Sequence, residues 1–294
     1  MPHLAPEIVR NGILLALVLF ALAYAVLWAR RYPTSPAARP TPDALLTGFV
    51  TNFFDTLGIG SFATTTSIFK FRKSMVPDDR HIPGTLNAGH TLPVVLQAFI
   101  YISVIEVEWT TLVPMILGAV VGSWFGAGVV ASLPKRKVQI GVGCALLVAC
   151  LVLLMRQFDL FPAGGAALGL SGWKLPTAVL CNALFAAIST LGIGFYAPCM
   201  TLVGLLGMNP TAAFPIMMGS GAFLMPVASS RFVLAGAYVP AVALGLTLGG
   251  LFGVPLAAFV VKTMPLTALR WLVMVVILYA AITTLRSPST TNRQ

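Results

Sequence analysis

A chain of 294 residues that is 58% hydrophobic and 9% charged, with a mean hydropathy of +0.93, cannot cover a water-soluble globule, whose surface alone calls for roughly a quarter charged residues. Its formal net charge of +10 would indicate nucleic acid on a soluble domain, but here Lys and Arg fall in short clusters between apolar runs, the positive-inside pattern of membrane proteins. Cys144, Cys150, Cys181 and Cys199 lie in apolar runs without CxxC spacing, so no metal centre, disulfide framework or other cofactor is expected.

In chain order, Asn11 to Trp28 is apolar, and Arg30, Arg31, Tyr32 and Pro33 follow where a signal-peptide cleavage site would stand. It reads as a retained transmembrane helix. Residues 1–43 thus form an N-terminal helix and a cytoplasmic linker, the linker marked by four prolines and three arginines between Arg30 and Pro42. A first repeat, residues 44–156, begins with a long apolar segment, Leu45 to Phe71, interrupted by Thr56-Leu57-Gly58-Ile59-Gly60. The segments Leu86 to Ile105, Thr111 to Leu133 and Val138 to Met155 follow, separated by the acidic turn at Glu106 and Glu108 and by Lys135-Arg136-Lys137.

A glycine-rich connector, 157–175, leads to a second repeat, 176–286, and a short tail, 287–294. The second repeat again opens with a broken segment, Thr177 to Leu206, carrying Thr190-Leu191-Gly192-Ile193-Gly194; Thr211 to Ser230, Pro240 to Val261 and Leu266 to Leu285 complete it. Gly58 corresponds to Gly192, Pro83 to Pro215, Gly89 to Gly221, Gly118 to Gly249 and Gly122 to Gly253. This is an internal duplication. The expected fold is all-α: a polytopic helical membrane protein of two repeats plus the extra N-terminal helix.

Two neighbouring glycines cost a helix about 2 kcal/mol relative to alanine. In hydrocarbon a break is tolerated only where protein or a watery cavity covers the freed peptide groups, so two matching breaks point to one shared polar cavity. The alternative is that these glycines serve close helix packing. If each broken segment dips in and returns, thirteen basic residues share a side against Arg10, Arg156, Lys174, Lys262 and Arg270. That bias fits the positive-inside rule and inverts the second repeat relative to the first. A broken helix that crosses fully is the other possibility.

Polar residues gather at the breaks: Asn52, Thr56, Ser61, Thr64, Thr65 and Thr66 in the first half, Asn182, Ser189, Thr190 and Tyr196 in the second. Hydroxyls, amides and freed N–H groups suit a small oxyanion, with helix N-termini adding partial positive charge. Asn52, Thr56, Gly58, Gly60, Ser61, Thr85, Asn87, Thr190, Gly192, Gly194 and Tyr196 are therefore the candidate substrate contacts. Asp55 and His90 are ionisable groups at bilayer depth, where such groups are functional candidates by default; their counterparts, Ser189 and Ala222, carry no charge. They are the candidate proton acceptors. The bland readings are an interhelical hydrogen bond for His90 and, for Asp55, a cap on the break or an arginine pair. With no GxGxxG and no Lys-Ser/Thr after the glycine pairs, a nucleotide site is excluded.

With these motifs, Asp55-Thr56-Leu57-Gly58-Ile59-Gly60, Ser189-Thr190-Leu191-Gly192-Ile193-Gly194 and Gly84-Thr85, residues Leu45 to Leu285 resemble the sulfite exporter TauE/SafE family. The N-terminal helix stands outside the resemblance. The family pattern has further glycines where Ser61, Phe62, Phe195 and Tyr196 stand here, and Met217 and Met218 replace the Gly-Thr pair in the second half. The resemblance implies a multi-pass inner-membrane carrier, not an enzyme, whose partners are a small sulfur-containing anion, protons and the bilayer. A passive anion channel and a membrane assembly subunit are the alternatives.

Overall fold

The computed structural model describes residues 4–35, 38–72, 74–131, 135–158, 165–189 and 195–286. The described residues form eleven α-helices: α1 (Leu4–Arg31), α2 (Pro42–Thr56), α3 (Ser61–Phe71), α4 (Ile82–Val104), α5 (Trp109–Ala131), α6 (Lys135–Gln157), α7 (Lys174–Ser189), α8 (Tyr196–Leu205), α9 (Ala213–Ala235), α10 (Pro240–Thr263) and α11 (Leu266–Arg286). Three described stretches are long and apolar enough to cross a bilayer, Glu7–Arg31, Pro210–Ala235 and Pro240–Thr263.

The helices sort into two compact units, residues 1–105 with 218–263, and residues 106–217 with 264–294. In the first unit α10 lies against α2 and α4, and α1 against α4. The α2–α10 contact is made by glycine. A Cβ on Gly245 would strike Ala44, one on Gly249 the Leu45 carbonyl, and one on Gly253 the Phe49 carbonyl. With nothing projecting from this face of α10, the two backbones meet, which is how helices gain packing energy where lipid is as apolar as leucine. In the second unit α5 packs on α7 in the same way, Gly118 against Val179 and Gly122 against the Ala183 carbonyl. The sequence equivalences Gly118 with Gly249 and Gly122 with Gly253 are thus equivalences of contact. Each contact joins a broken segment of one half to a later helix of the other.

The first broken segment folds back on itself. Thr41 accepts a hydrogen bond from the Ala44 N–H at the start of α2, and Asp43, in its first turn, pairs at 2.6 Å with Arg72, just past the end of α3. Between the helices Gly58 and Gly60 have φ of 95° and 86°, a region that β-carbon sterics make costly for other residues. A Cβ on Gly60 would meet nothing within 4 Å, so Gly60 is a hinge and not a packing contact. α4 contains Pro93, which leaves the Gly89 carbonyl without its helical donor; Thr247 on α10 donates to it at 2.8 Å.

In the second unit the end of the connector is tied down. The Glu108 N–H donates to the Leu168 carbonyl and the Leu170 N–H to Thr111 Oγ1. Lys174 Nζ donates to the Leu206 carbonyl at the end of α8.

Candidate functional site

The first unit encloses a run of polar side chains that no apolar interior would hold without pairing them. Asn52, Asp55, Thr56, Ser61, Thr65, His90 and Gln97 are all buried. They come from three elements: α2 supplies the amide and the carboxylate, α3 begins at Ser61, and α4 runs alongside both. At 1.5 Å per residue, His90 stands about 12 Å along α4 and Gln97 about 22 Å. Asn52 and Thr56 lie at similar depths on α2, so the network runs along two parallel walls.

At its shallower level His90 bridges α2 and α3. Asn52 Nδ2 donates to the carbonyls of Gly48 and Leu246, at 2.7 and 3.4 Å, which turns its oxygen toward His90 Nδ1 at 2.9 Å. An amide oxygen only accepts, so Nδ1 carries a hydrogen; in the neutral ring Nε2 then accepts from the Thr65 hydroxyl at 3.1 Å. The interhelical bond weighed for His90 is present on both sides of the ring.

At the deeper level lies the break. The Ser61 N–H, first donor of α3, points at Asp55 Oδ1 at 2.6 Å. Gln97 Nε2 donates to Asp55 Oδ2 at 2.9 Å and to Thr56 Oγ1 at 3.0 Å. The Thr56 hydroxyl donates to the Asn52 carbonyl at 2.7 Å, linking this level to the first, and the Tyr101 hydroxyl donates to the Thr56 carbonyl at 2.9 Å. Gln97 Oε1 is buried without a hydrogen-bond partner among the described residues. Asp55 is therefore an anion seated between a helix N-terminal N–H and a side-chain amide, the donor set that binds small oxyanions at helix N-termini. In this position it caps the break, and no ion pair to it is present among the described residues.

The other candidates fall elsewhere. Gly58 and Gly60 form the turn itself. Thr85 lies in the first turn of α4, where its hydroxyl donates to the His81 carbonyl and accepts from the Val239 N–H. Asn87 donates to Pro83 on its own helix; neither it nor Thr85 joins the network. Tyr196 opens α8. Thr190, Gly192 and Gly194 lie outside the described residues, and with them the second break and the cavity expected to unite the two. Gln97 and Tyr101 were not among the expected site residues. Their signal is helical spacing: His90, Gln97 and Tyr101 recur at seven and four residues along α4, one polar stripe on a helix that also carries Thr85, Asn87, Thr91 and Ser103.

No curated protein and no solved structure matches the chain. The family model described as sulfite exporter TauE/SafE matches residues 3–153 and again 80–284. The match takes in α1, which the sequence reading had placed outside the resemblance. The reason is visible in the fold: the Tyr24 hydroxyl donates to the Ala88 carbonyl at 3.0 Å, and Trp28 Nε1 to the Tyr238 hydroxyl at 3.1 Å, so α1 is bonded into the first unit and is no appendage. With matches that together span nearly all of its helices, the chain belongs to the sulfite exporter TauE/SafE family.

Proposed function

We propose that the protein is a secondary transporter of the bacterial inner membrane that moves a small sulfur oxyanion, sulfite or an organosulfonate such as sulfoacetate or taurine, together with protons. In this reading the two repeats are inverted, and α2 and α3 form a re-entrant hairpin that does not cross. The adjacency of Asp43 and Arg72 supports the hairpin. So does the distribution of charge in the first unit: Arg30, Arg31, Arg39, Arg72, Arg80 and Arg231 gather at the end where α2 begins, and Arg10 and Lys262 belong to the other.

One observation carries the proposal: the Asp55 carboxylate occupies a ready-made oxyanion seat, the Ser61 N–H and the Gln97 amide. A substrate anion entering that seat competes with Asp55 for the same donors. Two negative charges cannot share them in a low dielectric, so Asp55 must take up a proton or swing away as the substrate arrives. Protonation thereby favours the loaded form, the differential interaction that coupling requires. His90 is the second group that could take the proton, Nε2 then donating to the Thr65 hydroxyl from which it accepts in the neutral ring.

The test is flux in proteoliposomes. Asp55→Asn and His90→Gln keep approximate shape while removing titration near neutral pH. One of them is expected to abolish accumulation driven by a pH gradient while exchange between equal substrate pools continues. If both variants keep gradient-driven transport with an unchanged pH profile, neither residue couples protons. If the unaltered protein only lets the anion run down its own gradient, it is a channel.

A further inference from the structure

A second feature of the first unit lies outside the polar network. Between α1 and α9 runs a cavity of about 490 Å³ lined by Leu19, Phe20, Leu27, Pro226, Val227 and Leu234, within the size range of small-molecule sites. Its polar members are already satisfied: the Tyr24 hydroxyl is bonded to Ala88, and the Ser230 hydroxyl donates to the Pro226 carbonyl. The wall is therefore apolar throughout. Both flanking helices belong to stretches apolar enough to cross a bilayer, so the groove opens onto hydrocarbon, and the ligand it suits is an acyl chain.

One end of the groove is marked by aromatic residues. Trp28 is bonded to Tyr238, and Tyr32 packs edge-on against Trp28, a largely buried cluster that fixes this end of α1. Arg30 and Arg31 follow Leu27 within about one turn, and Arg231 adjoins Ser230 of the groove wall; all three are exposed. The carboxylates at this end are engaged elsewhere, Asp43 with Arg72 and Asp78 with Arg80. An apolar slot capped by three arginines favours a lipid of net negative charge over a zwitterionic one, whose own cation is repelled by the arginines that would hold its phosphate. We infer that the groove between α1 and α9 binds an anionic phospholipid of the bilayer, one acyl chain in the slot and the phosphate on Arg30, Arg31 and Arg231.

The experiment uses the purified full chain, delipidated in detergent, and measures its unfolding midpoint against added phosphatidylglycerol or phosphatidylcholine of identical chains. Phosphatidylglycerol should stabilise at lower concentration. Replacing Arg30, Arg31 and Arg231 with Gln should erase that preference, weakening it roughly fivefold per arginine. Ala23→Trp, which projects from an exposed position into the slot, should blunt the response to both lipids; Val227→Trp from the opposite wall serves if the first variant lowers the lipid-free midpoint. Equal responses to the two lipids, a preference that survives the arginine replacements, or a full response in both slot-filled variants would overturn the proposal and leave only unspecific lipid contact.

Discussion

Glycines of three kinds occur in this chain, and alanine should separate them by sign. At Gly249 the added methyl would fall on the Leu45 carbonyl oxygen and lie 2.6 Å from the Phe49 nitrogen. Both are backbone atoms, so no rotamer relieves the clash and α2 must back away from α10. Overpacking of this kind costs about 1–3 kcal/mol, and the upper end applies because Gly245 and Gly253 lose their contacts with Ala44 and Phe49 at the same time. At Gly60 there is room, but φ of 86° imposes strain of about 1–3 kcal/mol, offset by about 0.4–1 kcal/mol from a stiffer unfolded chain. At Gly12, inside α1 with nothing within 4 Å, alanine should stabilise by about 0.5–1 kcal/mol. Gly12→Ala and Gly249→Ala should therefore differ by about 2–4 kcal/mol, read as unfolding midpoints in one detergent at fixed lipid content. Midpoints that move in the same direction by similar amounts would refute the glycine contact between α2 and α10.

Two further outcomes follow from the same unit. Tyr101→Phe removes the donor to the Thr56 carbonyl at the break and should lower stability by about 1 kcal/mol, with a larger loss of transport than of fold; unaltered flux would separate the break from function. Cysteines at Arg39, Ser74 and Ala237 should react with an impermeant reagent from one side of intact vesicles, and a cysteine at Lys262 from the other; labelling of position 74 from the side that labels 262 would mean that α2 and α3 cross.

Helix number and the first break were legible because the sequence punctuates them. Gly58 and Gly60 interrupt the first long apolar run and charged turns separate the later segments of the first half, whereas the run reads as starting at Leu45 and α2 begins at Pro42, behind the Thr41 cap. Helix pairing was harder to read. A helix apolar all round gives no moment to tell a protein-facing side from a lipid-facing one, so the partner of α2 could not be found from hydrophobicity. The usable signal was glycine spacing: Gly245, Gly249 and Gly253 recur every fourth residue, as do Gly118 and Gly122, and these are the faces that touch. Equivalence between repeats had already matched Gly118 to Gly249, yet duplication says which positions correspond and not which meet. Gln97 escaped notice for a related reason, since an uncharged amide in an apolar helix resembles a packing residue until its bonds to Asp55 and Thr56 are seen.

The two glycine-packed helix pairs also differ in one polar contact. The Asn52 amide donates to the Leu246 carbonyl on α10, and the Asn182 amide to the Met115 carbonyl on α5, at 2.8 Å; Leu246 and Met115 stand in the same relation as Gly249 and Gly118. Both asparagines thus bridge the equivalent helix pair, but they differ in what the amide oxygen does. That of Asn182 is buried without a partner among the described residues, whereas that of Asn52 holds His90. Asn182→Leu removes one hydrogen bond together with a buried acceptor that was already unsatisfied, and these nearly cancel. Asn52→Leu removes the bonds to Gly48 and Leu246 and strands His90 Nδ1–H in an apolar site, a penalty of about 1–3 kcal/mol for the orphaned donor alone. Thermal unfolding should therefore find Asn182→Leu close to the unaltered protein and Asn52→Leu well below it. Equal losses at the two positions would mean that the asparagines act only as bridges between helices, and that His90 owes its placement to Thr65 and the surrounding packing.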